Sequence, residues 1–170
     1  HASYACFGSP FERAACLVVD GMGETGASAI FAYENGEIRE LKRHRGRESI
    51  GFFFGLVTDL AGFDQTAGEE WKIMGLAPYG QPDPELMALL RRLYRIDGHK
   101  LTFCDADTAR ATAAEILRRR PAEATQTGWA DLARCGQDVF EEMMDALLAE
   151  TASLCDARDL VLTGGCALNS

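Results

Sequence analysis

The sequence predicts an α/β fold, and three observations carry that prediction. A meander of apolar and alternating segments occupies residues 14–43, helical periodicities fill the middle, and a short apolar strand near the end runs into a Gly-Gly turn. Hydrophobic residues make up 47% of the 170 and charged residues 25%, the balance of a globular domain with a sizeable core.

Each element has its own justification. Ala14-Ala-Cys-Leu-Val-Val19 is a continuous apolar run, the pattern of a strand covered on both faces, and it ends in Asp20-Gly-Met-Gly-Glu24. Ser28-Ala-Ile-Phe-Ala-Tyr33 follows. Asn35-Gly36 then predicts a tight hairpin into Glu37-Ile-Arg-Glu-Leu-Lys42, whose alternation suits a half-exposed strand. Ser49 predicts the cap of a helix carrying Ile50, Phe53, Phe54, Val57 and Leu60, closed by Gly62. Residues 64–82 read as mixed: a short polar approach, the stretch Trp71–Gly80, then a Pro-rich break. Pro84 starts a helix reaching Tyr94. A short strand is expected at 101–103, a helix at 108–119 ended by Pro121, and one long amphipathic helix over 128–154. A strand at 159–163 then meets Gly164-Gly165, beyond which a helix is expected to begin. Meander, helices and strand–Gly-Gly–helix, in that order, are half of what a ribonuclease-H-like nucleotide-binding lobe requires.

Composition excludes several classes of function. A formal net charge of −9 disfavours a nucleic-acid backbone as partner. The basic runs at 42–47 and 118–120 read as a solvated strand end and a helix C-terminus. No apolar run reaches the roughly 18 residues of a membrane span. The six cysteines (6, 16, 104, 135, 155 and 166) include no Cys-x-x-Cys pair, and none has a His at metal-ligand spacing. They read as small hydrophobes in a reducing cytosol. His44 and His99, flanked by charged residues and glycine, read as surface loops, and Gln137 as the polar face of the long helix. The chain opens on His1 without an initiator Met and stops abruptly at Ser170, which is expected of a piece of a longer protein.

Three stretches carry chemistry. In Asp20–Glu24, Gly21 and Gly23 allow the main chain to approach an anion, while Asp20 could orient a cation or its water. The same residues also suit a plain hairpin turn. Gly164-Gly165 could meet a ligand or serve close helix–strand packing. Trp71-Lys-Ile-Met-Gly-Leu-Ala-Pro-Tyr-Gly80 collects a lysine and a tyrosine among glycines and a proline. Lys72 could pair with an anionic group there, or the stretch could be a buried loop. His1 alone decides nothing.

Taken together, His1-Ala-Ser-Tyr-Ala with Ser9-Pro-Phe-Glu12, Val19-Asp-Gly-Met-Gly-Glu24, Gly62-Phe63, Lys72-Ile-Met-Gly-Leu-Ala-Pro-Tyr-Gly80 and Thr163-Gly-Gly-Cys-Ala-Leu-Asn169 resemble the O-carbamoyltransferase family, which acts in nodulation-factor, cephalosporin and aminoglycoside biosynthesis. The two specific pieces are the one from Lys72 and the one from Gly164. The resemblance spans nearly the whole chain. It implies an actin/hexokinase-type ATPase fold related to the tRNA threonylcarbamoyl-transfer proteins, of which residues 1–170 would form part, mainly the second lobe. A separate adenylate-forming domain would make carbamoyl-adenylate from carbamoyl phosphate and ATP. The domain seen here would pass the carbamoyl group to a hydroxyl of a small natural product.

The resemblance also implies a divalent metal such as iron, held by a His-x-x-x-His motif and a later Asp. His1 matches the second His of that motif; the first would precede His1 and the Asp would follow Ser170. Asp20, Gly21, Gly23 and Glu24 would face the adenylate phosphate. Gly164, Gly165 and Asn169 would lie against the adenosine, and Lys72 would support the anion. Tyr4 and the bulky Glu69-Glu70-Trp71 approach depart from the family pattern. The alternatives are a non-catalytic nucleotide-binding module and carbamoyl transfer in tRNA modification or hydrogenase maturation. The net charge of −9 weighs against tRNA.

Overall fold

The long apolar run becomes β1 (Arg13–Val19), an inner strand of a four-stranded mixed sheet of order β3-β2-β1-β6. The structure, a computed structural model, describes residues 1–21, 26–44, 49–98, 100–119 and 126–169. β2 (Ser28–Glu34) and β3 (Glu37–His44) are antiparallel neighbours, joined by Asn35 and Gly36 with φ of 50° and 81°, as a tight primed turn demands. β6 (Leu160–Thr163) lies parallel to β1, with Cys16 opposite Val161 and Val18 opposite Thr163. The C-terminal ends of β1 and β6 therefore lie side by side.

The chain divides into two compact units. The first comprises His1–Phe52, Gly98–Lys100 and Met144–Asn169 and holds this sheet. Helix α1 (Ala2–Gly8) packs on β1 and β6, and its buried Cys6 joins Ala14, Cys16, Tyr33 and Val161 in one apolar cluster. Burial, and then the hydrogen bond with Cys6, pushes the Cys16 thiol up to about 12, so that thiol behaves as a packing group. β3 is an edge strand whose Arg39, Lys42 and Arg43 discourage pairing with another chain.

The second unit comprises Phe53–Asp97 and Leu101–Met143. It holds most of α2 (Ile50–Leu60), then α3 (Glu70–Leu76), α4 (Pro84–Arg91), the hairpin β4 (Tyr94–Asp97) and β5 (Lys100–Phe103), α5 (Ala106–Arg118), and the start of α6 (Ala130–Leu154). Asp83 and Asp105 cap α4 and α5, their carboxylates accepting the N–H groups of Glu85 and Leu86 and of Asp107 and Thr108. Gly136 on α6 meets α2 where a Cβ would come within 2.6 Å of Val57, so glycine lets these helices touch.

Four expectations change. The stretch 64–82 is largely helical: α3 is followed by a 3₁₀ turn at Ala77–Tyr79 that accommodates Pro78. Tyr94 opens β4 instead of ending a helix, because Gly98 at φ 63° reverses the chain into a hairpin. His44 is buried in place of being a surface residue: its Nε2 lies 2.7 Å from Glu150 Oε2, and the same carboxylate pairs with Lys42. Beyond Gly164 the chain forms a 3₁₀ turn over Gly165–Leu168, and no α-helix begins before Asn169. His99 lies outside the described residues.

Candidate functional site at the ends of β1 and β6

Five segments of the first unit meet where β1 and β6 end. Asp20 leaves β1 with its N–H donated to the Ala27 carbonyl at 2.8 Å. Its carboxylate accepts the Gly21 N–H at 2.8 Å through Oδ1. The other oxygen, Oδ2, stands 3.0 Å from Nε2 of His1, the residue preceding α1. The side chains of His1 and Asp20 are 59% and 28% exposed, so an entering ligand can reach both.

The Gly-Gly turn closes on the same point. Gly164 has φ 103°, and a Cβ there would stand 2.1 Å from the Val19 carbonyl oxygen, so only glycine lets β6 turn beside the end of β1. A Cβ on Gly165 would meet Asp20 Oδ1 at 3.1 Å. Cys166 follows, its thiol near the first turn of α2, where a Cβ on Gly51 would come within 2.9 Å of it and 2.5 Å of the Gly21 Cα. Ser49 caps α2 by accepting the Phe52 N–H at 3.2 Å. Its hydroxyl also faces the carbonyl oxygens of Asp20 and Gly21, at 2.8 and 2.6 Å.

The fold thus brings together His1, Asp20, Gly21, Gly164 and Gly165 from the residues singled out in the sequence. Asn169 belongs to the same unit and closes the 3₁₀ turn, its N–H donated to Cys166 at 3.3 Å. Gly23 and Glu24 lie outside the described residues. Lys72 is in the second unit, on α3. Its ammonium pairs with Glu69 and lies 5.3 Å from the Phe63 ring centre, and the Lys72 hydrogen bond holds the Glu69 carboxyl below its usual range. Sequence reasoning missed two residues at the strand ends. Gly51, an unexplained glycine in a helical pattern, was the available signal for a close backbone approach. Ser49 was legible as a cap, but its second hydrogen bond was not.

Chemically, the arrangement offers an imidazole nitrogen and a carboxylate oxygen side by side, beside two strand ends where glycine exposes the main chain. Among the described residues, no group of three or more His, Cys, Asp or Glu side chains is gathered closely enough to hold a metal ion. The fold and site define an α/β domain with a ligand-accessible His–Asp pair at the carboxyl ends of parallel strands, where open α/β sheets place their ligands.

The family model described as "Carbamoyltransferase N-terminus" matches residues 1–170, and the chain belongs to that family. The nodulation protein NolNO of Sinorhizobium fredii is 28% identical over 172 residues, covering 99% of this chain and 25% of the relative. An uncharacterised Synechocystis protein is 37% identical over 82 residues, covering 48% of this chain and 13% of its own length. An uncharacterised Methanocaldococcus jannaschii protein is 29% identical over 118 residues, covering 61% and 19%. The chain therefore spans a quarter or less of the length of these relatives.

Proposed function

We propose that this chain is the N-terminal part of an O-carbamoyltransferase that moves a carbamoyl group from carbamoyl-adenylate to a hydroxyl of a small natural product. The observation that carries the reading is the convergence of His1, Asp20 and the Gly164-Gly165 turn at adjacent parallel strand ends, in a chain of this family. The fold we assign is an actin/hexokinase-type lobe. The parallel pair β1–β6 inside an otherwise antiparallel meander supports it.

The acceptor oxygen attacks the carbamoyl carbon, the bond from that carbon to the AMP phosphate oxygen breaks, and the acceptor proton passes to a base. The residues at the strand ends have distinct parts. Gly164 lets the two strand ends come together, and Gly165 leaves space beside the Asp20 carboxylate. Asp20 faces the His1 imidazole and fixes its orientation, as a carboxylate does for a ligating histidine. An imidazole nitrogen suits a borderline divalent ion such as iron(II), so His1 fits as one donor of a larger set, with Asp20 orienting its ring. When bound, such an ion would polarise the carbamoyl carbonyl and offset charge on the leaving phosphate. Lys72, paired with Glu69, is assigned to supporting an anion.

The test supplies the full-length protein with ATP, labelled carbamoyl phosphate and a panel of hydroxylated small molecules. The reading expects phosphate and pyrophosphate release and label on an acceptor oxygen. Label transferred without ATP, or to nitrogen only, would contradict it.

A further inference from the structure

We infer that Ser49 is a positioning residue for the Asp20–Gly21 turn, setting the direction of the Asp20 carboxylate through the main chain. Capping α2 needs only an acceptor for the Phe52 N–H, and Asn or Asp would serve nearly as well. A serine hydroxyl also carries one proton, and here that proton faces the carbonyl oxygens of Asp20 at 2.8 Å and Gly21 at 2.6 Å. Ser49 is 1% exposed, so water does not compete for the hydroxyl.

The consequences follow bond by bond. The Asp20 N–H is donated to Ala27, the Asp20 and Gly21 carbonyls share the Ser49 proton, and the Gly21 N–H returns to Asp20 Oδ1. That leaves Oδ2 directed at His1. Without the Ser49 proton, the carbonyls on both sides of Gly21 lose their tie to α2. Gly51 strengthens the tie: the first turn of α2 lies so close to Gly21 that a Cβ would come within 2.5 Å of its Cα. One short residue and one absent side chain thus hold the turn against the helix. The inference deepens the proposed carbamoyl-adenylate reading and rests on it only for the identity of the ligand.

The test is local hydrogen exchange of the peptides covering residues 14–21 in the full-length protein, with AMP as the probe for the adenylate. Ser49→Gly removes the proton and the side-chain acceptor together, at little cost to the cap because glycine is tolerated at this position; Ser49→Thr keeps both. Ser49→Gly is expected to leave the melting temperature within about 2 °C. It should speed exchange at Asp20 and Gly21 and raise the AMP concentration giving half-protection by about tenfold, the scale of one lost hydrogen bond. Ser49→Thr should restore both. Wild-type exchange in Ser49→Gly, or no recovery in Ser49→Thr, would overturn the inference. Should AMP protect neither protein, the adenylate reading fails, and the exchange rates without AMP still decide the role of Ser49.

Discussion

Gly164 and Gly165 are adjacent, yet side chains added to them would meet different neighbours. At Gly164 a methyl group would need φ near 103° and would stand 2.1 Å from a main-chain oxygen, so Gly164→Ala should cost roughly 3 kcal/mol or more. At Gly165 the neighbour is the Asp20 carboxylate at 3.1 Å, a side chain that can swing away. Gly165→Ala should keep its urea midpoint near wild type while weakening ligand binding, and urea unfolding of both variants checks the contrast. Equal loss of stability in the two would contradict the packing of Gly165 beside Asp20. Residues of this kind were legible, because a strand running into paired glycine has few physical explanations. His1 was legible only through resemblance. His44 was misread because its charged flanks sit on an edge strand, and its partner Glu150 is 106 residues away, beyond any local pattern.

Among the elements, strands with strong local chemistry were readable and short helices were not. β1, β2 and β3 follow from a continuous apolar run, an Asn-Gly turn and an alternation. α1 has seven residues and no side-chain cap, too little for a periodicity to register. α3 was hidden by Gly75 and Pro78, both of which helical structure tolerates here: Gly75 has open space around its Cβ position, and Pro78 falls in the first turn of a 3₁₀ segment. Tyr94 looked helical, yet it starts β4 and its hydroxyl donates to Glu142 Oε2 at 2.7 Å. The same carboxylate accepts from Arg91 Nε at 3.1 Å, and these bonds, Arg91 first, hold Glu142 below its ordinary 4.5. A depressed folded value means the unfolded chain binds the proton more readily. The stabilisation is therefore present above pH 4.5 and is lost as the pH falls through the lower folded value. Glu142→Gln should flatten that acid limb when urea midpoints are compared between pH 3 and 6, roughly the span of carboxylate titration. An unchanged limb would mean the Arg91–Glu142–Tyr94 contact contributes nothing to folding.

For the whole molecule, the six cysteines, none in a disulfide, report on packing. Cys6 and Cys16 lie in the cluster beneath α1, while Cys155 is partly exposed. Alkylation of native protein followed by peptide mapping should modify Cys155 and spare Cys6 and Cys16 until unfolding; early labelling of Cys16 would contradict the docking of α1 on the sheet. The α/β class and the meander of β1, β2 and β3 could be read from the sequence, but the meeting of strand ends, α2 and His1 could not, since that depends on a parallel pairing between residues about 145 apart. In the proposed function, the Asp20 site performs transfer and leaves adenylate formation to another part of the protein. The most direct measurement follows pyrophosphate release and acceptor carbamoylation together in full-length Asp20→Ala. Carbamoylation should fall by at least about tenfold, the scale of a lost charged contact, while pyrophosphate release continues. Equal loss of both activities, or undiminished carbamoylation, would contradict it.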